Sequence, residues 1–471
     1  VVVVAGRAPY TVDGRLPGSR DRAIQWQQDV TDQIGIVRSY VKWSHELGRV
    51  DTLHELVPRA VQLAASEPSG PVYMTAAREV LMQPTPDGTV DLGVARRSRP
   101  LVTPAGDPAA LAQLAEWLVQ AEAPVAVAGS LGRHPSSVAA LVELAELLSM
   151  PLADTRGPLN VPYDHPLALD DAAASLRQAD VVLLLDVDVP WIPRHVSPPA
   201  AARIAQLDID PLKETIALWG FPVDLPIQAD TSKALPALVA AVKERLGAAD
   251  RQRITERRRR LEQARAEADR ERTAALAALR SRQPIAPEWL GAALAERLPA
   301  RTLVVDEMVT SSDAVRRYLR PNQPGGVLSA GAPGLGWGLG AALGARLAAP
   351  DHTVVSIAGD GSFVFGSPVA ALWAAQQAQA PFLAIVLNNG GYNASKMPVL
   401  GLFPEGVSRQ LNQFPGVRWA SPPDYAMLAR SCHAYGERVS DPAELGGAIE
   451  RSLAAVAGGQ AAVLDVALAP I

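Results

Sequence analysis

The sequence is poor in features that several classes of protein require. Its single cysteine, Cys432, excludes an intrachain disulfide or a cysteine-based metal cluster and is typical of a reducing compartment such as the cytoplasm. No apolar run approaches the about 20 residues needed to cross a bilayer. The net charge of −5 argues against a nucleic-acid surface, which needs clustered positive charge. The seven histidines are scattered without metal-ligand spacing.

The remaining composition is that of a globular protein with several cores. The chain has 471 residues, 48% of them hydrophobic and 20% charged, and this length suggests three domains. Helical and strand patterns alternate between residues 104 and 246, which predicts a parallel sheet with helices on both faces. We therefore predict an α/β fold of doubly wound parallel sheets.

The most informative run is Gly359-Asp360-Gly361-Ser362. Residues 354–358 before it read as a buried strand, and residues 363–380 after it carry apolar side chains at helical spacing. A glycine-rich turn between a strand and a helix presents backbone N–H groups to a phosphate. Asp360 adds a carboxylate that Mg²⁺ could share with a diphosphate.

A second strand, residues 382–387, delivers Asn388-Asn389 at its carboxyl end. Ligands of open α/β sheets bind at that edge. A common strand-to-helix turn would explain Gly359–Gly361 alone, but it does not explain the asparagine pair on the next strand. The two features together predict a metal–diphosphate site.

These residues also resemble a known motif. Gly359-Asp360-Gly361 with Asn388-Asn389 is similar to the thiamine diphosphate motif of the acetolactate synthase, pyruvate decarboxylase and benzoylformate decarboxylase family, and most of all to the acetolactate synthase large subunit. The resemblance implies that Mg²⁺ is held by Asp360, Asn389 and the carbonyl of Gly391. It further implies contacts to the cofactor from Gly359, Gly361, Ser362 and Tyr392.

The run Pro333–Leu339 is similar to the family's loop Gly-Gly-Leu-Gly-Phe-Ala-Leu-Pro. The resemblance implies that Leu335 wedges under the cofactor, beside Gly334, and that the Pro333 carbonyl accepts the aminopyrimidine N–H. The overlapping run Gly336–Ala341 also fits the dinucleotide fingerprint G-x-G-x-x-A. No strand leads directly into it and no ribose-binding acid follows, so packing of a helix on the sheet is the preferred interpretation.

The resemblance also implies a domain order. Residues 1–92 would be the remainder of a pyrimidine-binding domain, 104–246 a central Rossmann-like domain, 247–283 a charged linker helix and 284–471 the diphosphate-binding domain. Val1–Gly6 is similar to the family's Pro-Val-Val-Ala-Ile-Thr-Gly strand, deep in the first domain. We therefore expect that about the first hundred residues are missing, with the activating Glu, which stays unassigned.

Other segments bear on the substrate and on further ligands. Tyr392 and Asn393 follow the metal-ligand positions and either shape the substrate pocket or close the turn. Gln27 and Lys42 resemble family residues near the substrate. The pairs Asp186/Asp188 and Asp208/Asp210 are predicted to cap strand ends and not to bind a separate metal. The flavin-contacting Gly-x-Arg segment of acetolactate synthases is not recognisable after Leu185, which argues against FAD.

The resemblance implies decarboxylation of a 2-oxo acid and ligation of the product to a second carbonyl, as in acetolactate synthases. Two alternatives stay open within the family, a decarboxylase without ligation and a 2-hydroxyacyl-CoA lyase. A third alternative is a catalytically silent protein that binds thiamine diphosphate. The family comparison also implies a homodimer or homotetramer with sites between subunits.

Overall fold

Three parallel β-sheets form the framework of the chain in the computed structural model, which describes residues 1–85, 93–155, 158–330 and 334–469. The chain divides into two compact units, Val1–Ala105 and Gly106–Ile471. This architecture confirms the predicted α/β class. None of the helices in the described ranges is both long and apolar enough to cross a membrane.

The first unit contains a sheet of strand order β1-β3-β2, and all of its pairs are parallel. The central strand β3 is buried along its whole length, while β1 carries exposed valines at one edge. The elements are β1 Val2–Arg7, α1 Ile24–Gln27, α2 Gln33–Val37, β2 Trp43–Leu47, α3 Leu53–Ala65, β3 Val72–Ala77, α4 Arg78–Leu81 and α5 Gly93–Arg97, with short 3₁₀ turns at Arg38–Tyr40 and Val50–Thr52.

The second unit begins with a sheet of order β5-β4-β6-β7-β8, with apolar cores on both faces. Strand order reverses between β4 and β6. Its elements are α6 Pro108–Gln120, β4 Pro124–Ala128, α7 Pro135–Leu148, β5 Leu152–Asp154, α8 Ala173–Gln178, β6 Val181–Leu185, β7 Arg203–Asp208, β8 Leu225–Gln228 and α9 Thr231–Arg245, with a 3₁₀ turn at Leu131–Arg133.

The long helix α10, Ala248–Leu279, follows this sheet and is mostly exposed, as the charge pattern predicted. Arg257 is the exception within the arginine run, because its side chain is buried. Its guanidinium donates to the carbonyls of Ala121 and Glu122 after α6, and to those of Leu148 and Ser149 at the end of α7. A cation thus satisfies the free carbonyls of two helix ends and fastens α10 to the sheet's helices.

The third sheet has the order β10-β9-β11-β12-β14-β13, again with a core on each face. Strand order reverses between β9 and β11, and ligands of open sheets bind at such a point. The elements are α11 Pro287–Ala295, β9 Thr302–Glu307, α12 Ser312–Leu319, β10 Val327–Ser329, α13 Gly338–Ala348, β11 Thr353–Gly359, α14 Asp360–Phe365, α15 Pro368–Gln377, β12 Leu383–Asn388, α16 Lys396–Leu402, α17 Val407–Gln410, α18 Tyr425–Ser431, β13 Tyr435–Val439, α19 Leu445–Ala457 and β14 Ala462–Ala467, with a 3₁₀ turn at Asn393–Ser395.

The structure differs from the sequence prediction after the Gly-Asp-Gly turn. The single helix predicted over residues 363–380 is two helices, α14 and α15, separated at Gly366 and Ser367. Ser367 has a positive φ of 50°, and Pro368 then starts the second helix, where its missing N–H costs nothing. The domain boundaries inferred from the family resemblance stay predictions.

Candidate functional site

The carboxylate of the Gly-Asp-Gly turn faces into the protein at the carboxyl end of β11. Asp360 is only 1% exposed. Its Oδ1 accepts a hydrogen bond from the N–H of Gly361 at 2.8 Å, and its Oδ2 accepts from those of Gly390 and Gly391 at 2.8 and 2.9 Å. Burial raises the pKa of the Asp360 carboxyl, and these N–H donors offset part of the rise. One carboxylate therefore ties the turn to the loop that follows β12.

The two asparagines after β12 have separate tasks. Asn388 donates from Nδ2 to Oδ1 of Asp465 on the neighbouring strand β14, at 2.9 Å. Asp465 is fully buried, and burial raises its pKa. Sequence reasoning missed this residue, although a carboxylate inside the apolar run 461–466 was the available signal. Asn388 thus anchors the strand end, while Asn389 belongs to the loop held by Asp360.

Asn393 holds two of the predicted metal ligands. Its side-chain Nδ2 donates to the Asn389 carbonyl at 3.1 Å and to Asn389 Oδ1 at 2.7 Å, and its backbone N–H donates to the Gly391 carbonyl at 2.9 Å. Because a main-chain carbonyl only accepts, the contacting atom of Asn393 is its NH₂, and the facing atom of Asn389 is its oxygen. The side chain predicted to shape a substrate pocket or close the turn is engaged with the ligand loop.

Tyr392 covers the Gly-Asp-Gly turn. A Cβ added to Gly361 would lie 2.7 Å from Cδ1 and 2.8 Å from Cε1 of the Tyr392 ring, so only glycine permits this contact. The Tyr392 backbone N–H donates to the carbonyl of Val417 at 2.8 Å. The ring therefore packs on the turn while the backbone is held from the opposite side.

The residues present fit a magnesium-diphosphate group. The Asp360 carboxylate, Asn389 Oδ1 and the Gly391 carbonyl offer hard oxygen atoms, the type that Mg²⁺ prefers when it combines one or two carboxylates with phosphate oxygens and water. Gly391 has a φ of 147°, and a Cβ there would lie 2.1 Å from the Val417 carbonyl, so its position requires glycine. Within the described ranges, no cluster of three His, Cys, Asp or Glu side chains offers a competing metal site.

Glu307 fixes the loop that precedes α13. Its carboxylate accepts hydrogen bonds from the N–H groups of Gly336 and Gly338, the latter at 2.9 Å. Burial raises the pKa of the Glu307 carboxyl. Gly336 has a φ of 90°, and a Cβ there would meet the backbone N of Gly366 at 2.8 Å. The loop is thus held on both sides, which sets the position of Leu335, whereas Pro333 lies outside the described residues.

A cavity of about 280 Å³ opens at the carboxyl ends of β9, β10 and β11, where the strand order reverses. Its walls include Gly334, Leu335 and Ser362, which the family resemblance marked as cofactor contacts. Glu307, Ser312 and Arg316 also line it. The loop of Gly334 and Leu335, the start of α12 and the Gly-Asp-Gly turn therefore share one cavity.

A buried ion pair forms one side of this cavity and was not predicted. Arg316 donates from Nε to Asp306 Oδ2 at 2.6 Å, and its Nη2 lies 2.5 Å from the same oxygen. Its Nη1 also lies 3.5 Å from the Tyr163 hydroxyl. Burial, aided by the negative charge of Asp154, raises the pKa of Tyr163 to about 12. The Arg316 charge is therefore balanced within the protein.

Gln27 and Lys42 belong to the first unit. Gln27 is exposed in α1. The Lys42 ammonium donates to the carbonyls of Ser66 and Pro68 at 2.6 and 2.8 Å, so in this structure it caps the chain after α3. Their roles toward a substrate stay predictions.

The two Asp-x-Asp pairs of the central sheet have protein partners. Lys213 lies 2.9 Å from both Asp188 and Asp208, and Asp186 accepts from the Thr231 hydroxyl at 2.7 Å. Asp210 donates its backbone N–H to Asp208. Charge pairing and capping account for these carboxylates.

Known proteins match both sheets of the second unit. Residues 111–238 match the thiamine pyrophosphate enzyme central domain, and residues 308–466 match the thiamine pyrophosphate enzyme C-terminal TPP binding domain. A benzoylformate decarboxylase of Pseudomonas aeruginosa is 30% identical over 428 residues, which cover 88% of this chain and 74% of that protein. The chain belongs to the thiamine diphosphate-dependent enzymes.

Other members of the thiamine diphosphate-dependent family are similar over the whole chain. The acetolactate synthase large subunit IlvG of Mycobacterium tuberculosis is 30% identical over 480 residues, covering 100% of this chain and 80% of that protein. The crystal structure of a benzoylformate decarboxylase from Polynucleobacter necessarius superposes with a TM-score of 0.76 at 20% identity, covering 100% of this chain and 83% of that one. The structural likeness shows the fold, and the relatives confirm the predicted family.

Proposed function

We propose that this chain uses thiamine diphosphate and Mg²⁺ to decarboxylate a small 2-oxo acid and to join the remaining fragment to a second carbonyl compound. The observation that carries the proposal is the loop in which Asp360 binds the N–H groups of Gly390 and Gly391, with Asn389 and Gly391 oxygens beside it. A single buried carboxylate with two neutral oxygens suits a metal whose other ligands come from a diphosphate.

The chain's own residues then bind and orient the cofactor. Asp360, Asn389 and Gly391 would hold the metal, and Ser362 faces the cavity beside the turn. Leu335, whose loop is held by Glu307, would contact the cofactor. Bound thiamine diphosphate supplies the nucleophilic carbon and the electron sink for loss of CO₂. The protein's contribution is position and a site partly screened from water.

A decarboxylase without ligation is the second candidate. The benzoylformate decarboxylase of P. aeruginosa, 30% identical over most of this chain, favours it. The two candidates share every residue assigned above and differ in the fate of the fragment left after CO₂ loss. Only the products separate them.

Product analysis tests both candidates. The full-length protein, including the segment expected to carry the activating Glu, is incubated with thiamine diphosphate, Mg²⁺ and either pyruvate or benzoylformate, and the products are followed by NMR. We expect acetolactate from pyruvate, which requires ligation. Acetaldehyde or benzaldehyde as the sole product would instead establish the simple decarboxylase. Cofactor binding without consumption of either acid would contradict both candidates for these substrates and favour a silent binding protein.

We also propose that the chain assembles as a homodimer or homotetramer. Large apolar side chains lie exposed on α14 and α15, among them Phe365 at 64% and Trp373 at 58%. Such surfaces usually mark contacts between proteins. Light scattering coupled to size-exclusion chromatography should give a mass of two or four chains, and a monomer mass at micromolar concentration would overturn the proposal.

A further inference from the structure

The segment Phe414–Trp419 returns along the chain to lie against the metal-ligand loop. The Tyr392 N–H donates to the Val417 carbonyl at 2.8 Å, and the Trp419 N–H donates to the Gly390 carbonyl at 3.0 Å. Gly391 and Arg418 face each other as an antiparallel bridge. Residues 393–416 thus form a long loop, and the hydrogen bonds between its two ends lie directly beside the predicted ligands.

Side chains reinforce this junction. The Trp419 ring meets the Tyr392 ring edge-on, with centroids 5.0 Å apart and planes at 87°. Such a perpendicular arrangement is a favoured geometry for aromatic pairs. The Tyr392 ring also lies against Gly361 of the Gly-Asp-Gly turn. Direct contacts of Tyr392 with Gly361 and with Trp419 therefore link the turn to the returning segment.

The ligand loop needs such support because of its own composition. Gly390 and Gly391 have φ values of 83° and 147°. Glycine adopts such positive φ values readily, but its conformational freedom also makes the loop flexible unless other residues hold it. Asp360 holds the two N–H groups from one side. The carbonyl of Gly390 and the N–H of Tyr392 are held from the other side, by residues 417–419. A loop clamped on both sides presents the Asn389 and Gly391 oxygens in one arrangement.

We propose that Trp419 is a positioning residue, which holds the Tyr392 ring and thereby keeps the Asn389–Gly391 loop in its metal-binding arrangement. The proposal rests on the proposed function, in that the loop is taken to bind Mg²⁺ with thiamine diphosphate. Trp419 itself needs no contact with the metal or cofactor. Its effect should therefore appear in metal affinity and in loop protection rather than in the chemical step alone.

The test compares Trp419→Ala and Trp419→Phe with Trp117→Ala, which removes a tryptophan of similar burial from helix α6 beside the central sheet. Mg²⁺ is titrated at fixed thiamine diphosphate, and cofactor binding is measured by calorimetry. We expect Trp419→Ala to raise the apparent Kd for Mg²⁺ about 10-fold or more, as loss of outer-shell partners does. Trp419→Phe should stay within about threefold of the parent, because the edge contact persists. Trp117→Ala should leave the Kd unchanged.

Hydrogen exchange on the cofactor-free protein supplies a second readout. The Tyr392 amide, bonded to Val417, should exchange faster in Trp419→Ala than in the parent. Should Trp419→Ala fail to fold, Trp419→Leu takes its place against Trp419→Phe, since leucine keeps apolar bulk without the ring. Parental Mg²⁺ affinity and parental exchange in the ring-less variant would overturn the proposal. Absence of Mg²⁺-dependent cofactor binding in the parent would instead overturn the proposed function.

Discussion

Replacing Asp360 with asparagine will abolish Mg²⁺-dependent binding of thiamine diphosphate. The substitution removes the one carboxylate among the predicted metal ligands. It also replaces one of the two carboxylate oxygens with an NH₂ group. Both oxygens accept backbone hydrogen bonds, Oδ1 from Gly361 and Oδ2 from Gly390 and Gly391. A buried backbone N–H group that faces the new NH₂ group loses its acceptor, and the site loses the full free energy of that hydrogen bond. We expect the cofactor Kd, measured by calorimetry with saturating Mg²⁺, to rise at least ~100-fold.

Asp351→Asn is the matched control, because Asp351 is exposed in the turn before β11 of the same sheet. It makes the same chemical change without touching the site, so cofactor affinity should equal that of the parent. Far-UV circular dichroism establishes that both variants retain their helices and strands. Parental cofactor affinity in folded Asp360→Asn would contradict the assignment of Asp360 as a metal ligand.

Replacing Gly391 with alanine should weaken cofactor binding nearly as much as Asp360→Asn does, because it changes the conformation of the backbone. At a φ of 147° an L-residue is strained, and the new Cβ would lie 2.1 Å from the Val417 carbonyl. Strained backbone of this kind costs on the order of 1–3 kcal/mol, and the clash adds to it. We expect a lower thermal unfolding midpoint by scanning calorimetry and loss of Mg²⁺-dependent cofactor binding.

The neighbouring glycine provides the comparison. Gly390 also has a positive φ, 83°, but a Cβ there would have nothing within 4 Å. Gly390→Ala therefore adds strain of about 1–2 kcal/mol without the clash. Its unfolding midpoint and cofactor affinity should lie between those of the parent and Gly391→Ala. Equal behaviour of the two variants would show that the Val417 contact does not constrain the loop.

The sequence was sufficient for the fold class because its signals are local. The strand before Gly359, predicted over residues 354–358, is Thr353–Gly359, and the strand before Asn389, predicted over 382–387, is Leu383–Asn388. Short apolar runs between glycine and proline turns specify such buried parallel strands. The Gly-Asp-Gly turn and the asparagine pair were found for the same reason, since each closes a strand.

What the sequence could not supply are contacts between distant segments. Asp465 lies 77 residues from Asn388 in the sequence, and Trp419 contacts Tyr392 although the loop of residues 393–416 separates them. Helical or strand periodicity in the sequence indicates contacts only between residues a few positions apart, so it does not predict either of these contacts. Arg257 shows the same limit within one helix, because Arg258 is half-buried, Arg259 and Arg260 are exposed, and only the packing of α10 buries Arg257.

Tyr163 joins the domain of the central sheet to the wall of the cavity in the third sheet. Its carbonyl accepts from Arg320, and its hydroxyl lies beside Arg316, which is paired with Asp306. Recombination between relatives at α10 would exchange Tyr163 without its two arginine partners. A chimera joined there would carry an unmatched residue against the cavity wall, even though each half kept a complete sheet. A chimera that exchanges both sheets together would keep these Tyr163 contacts.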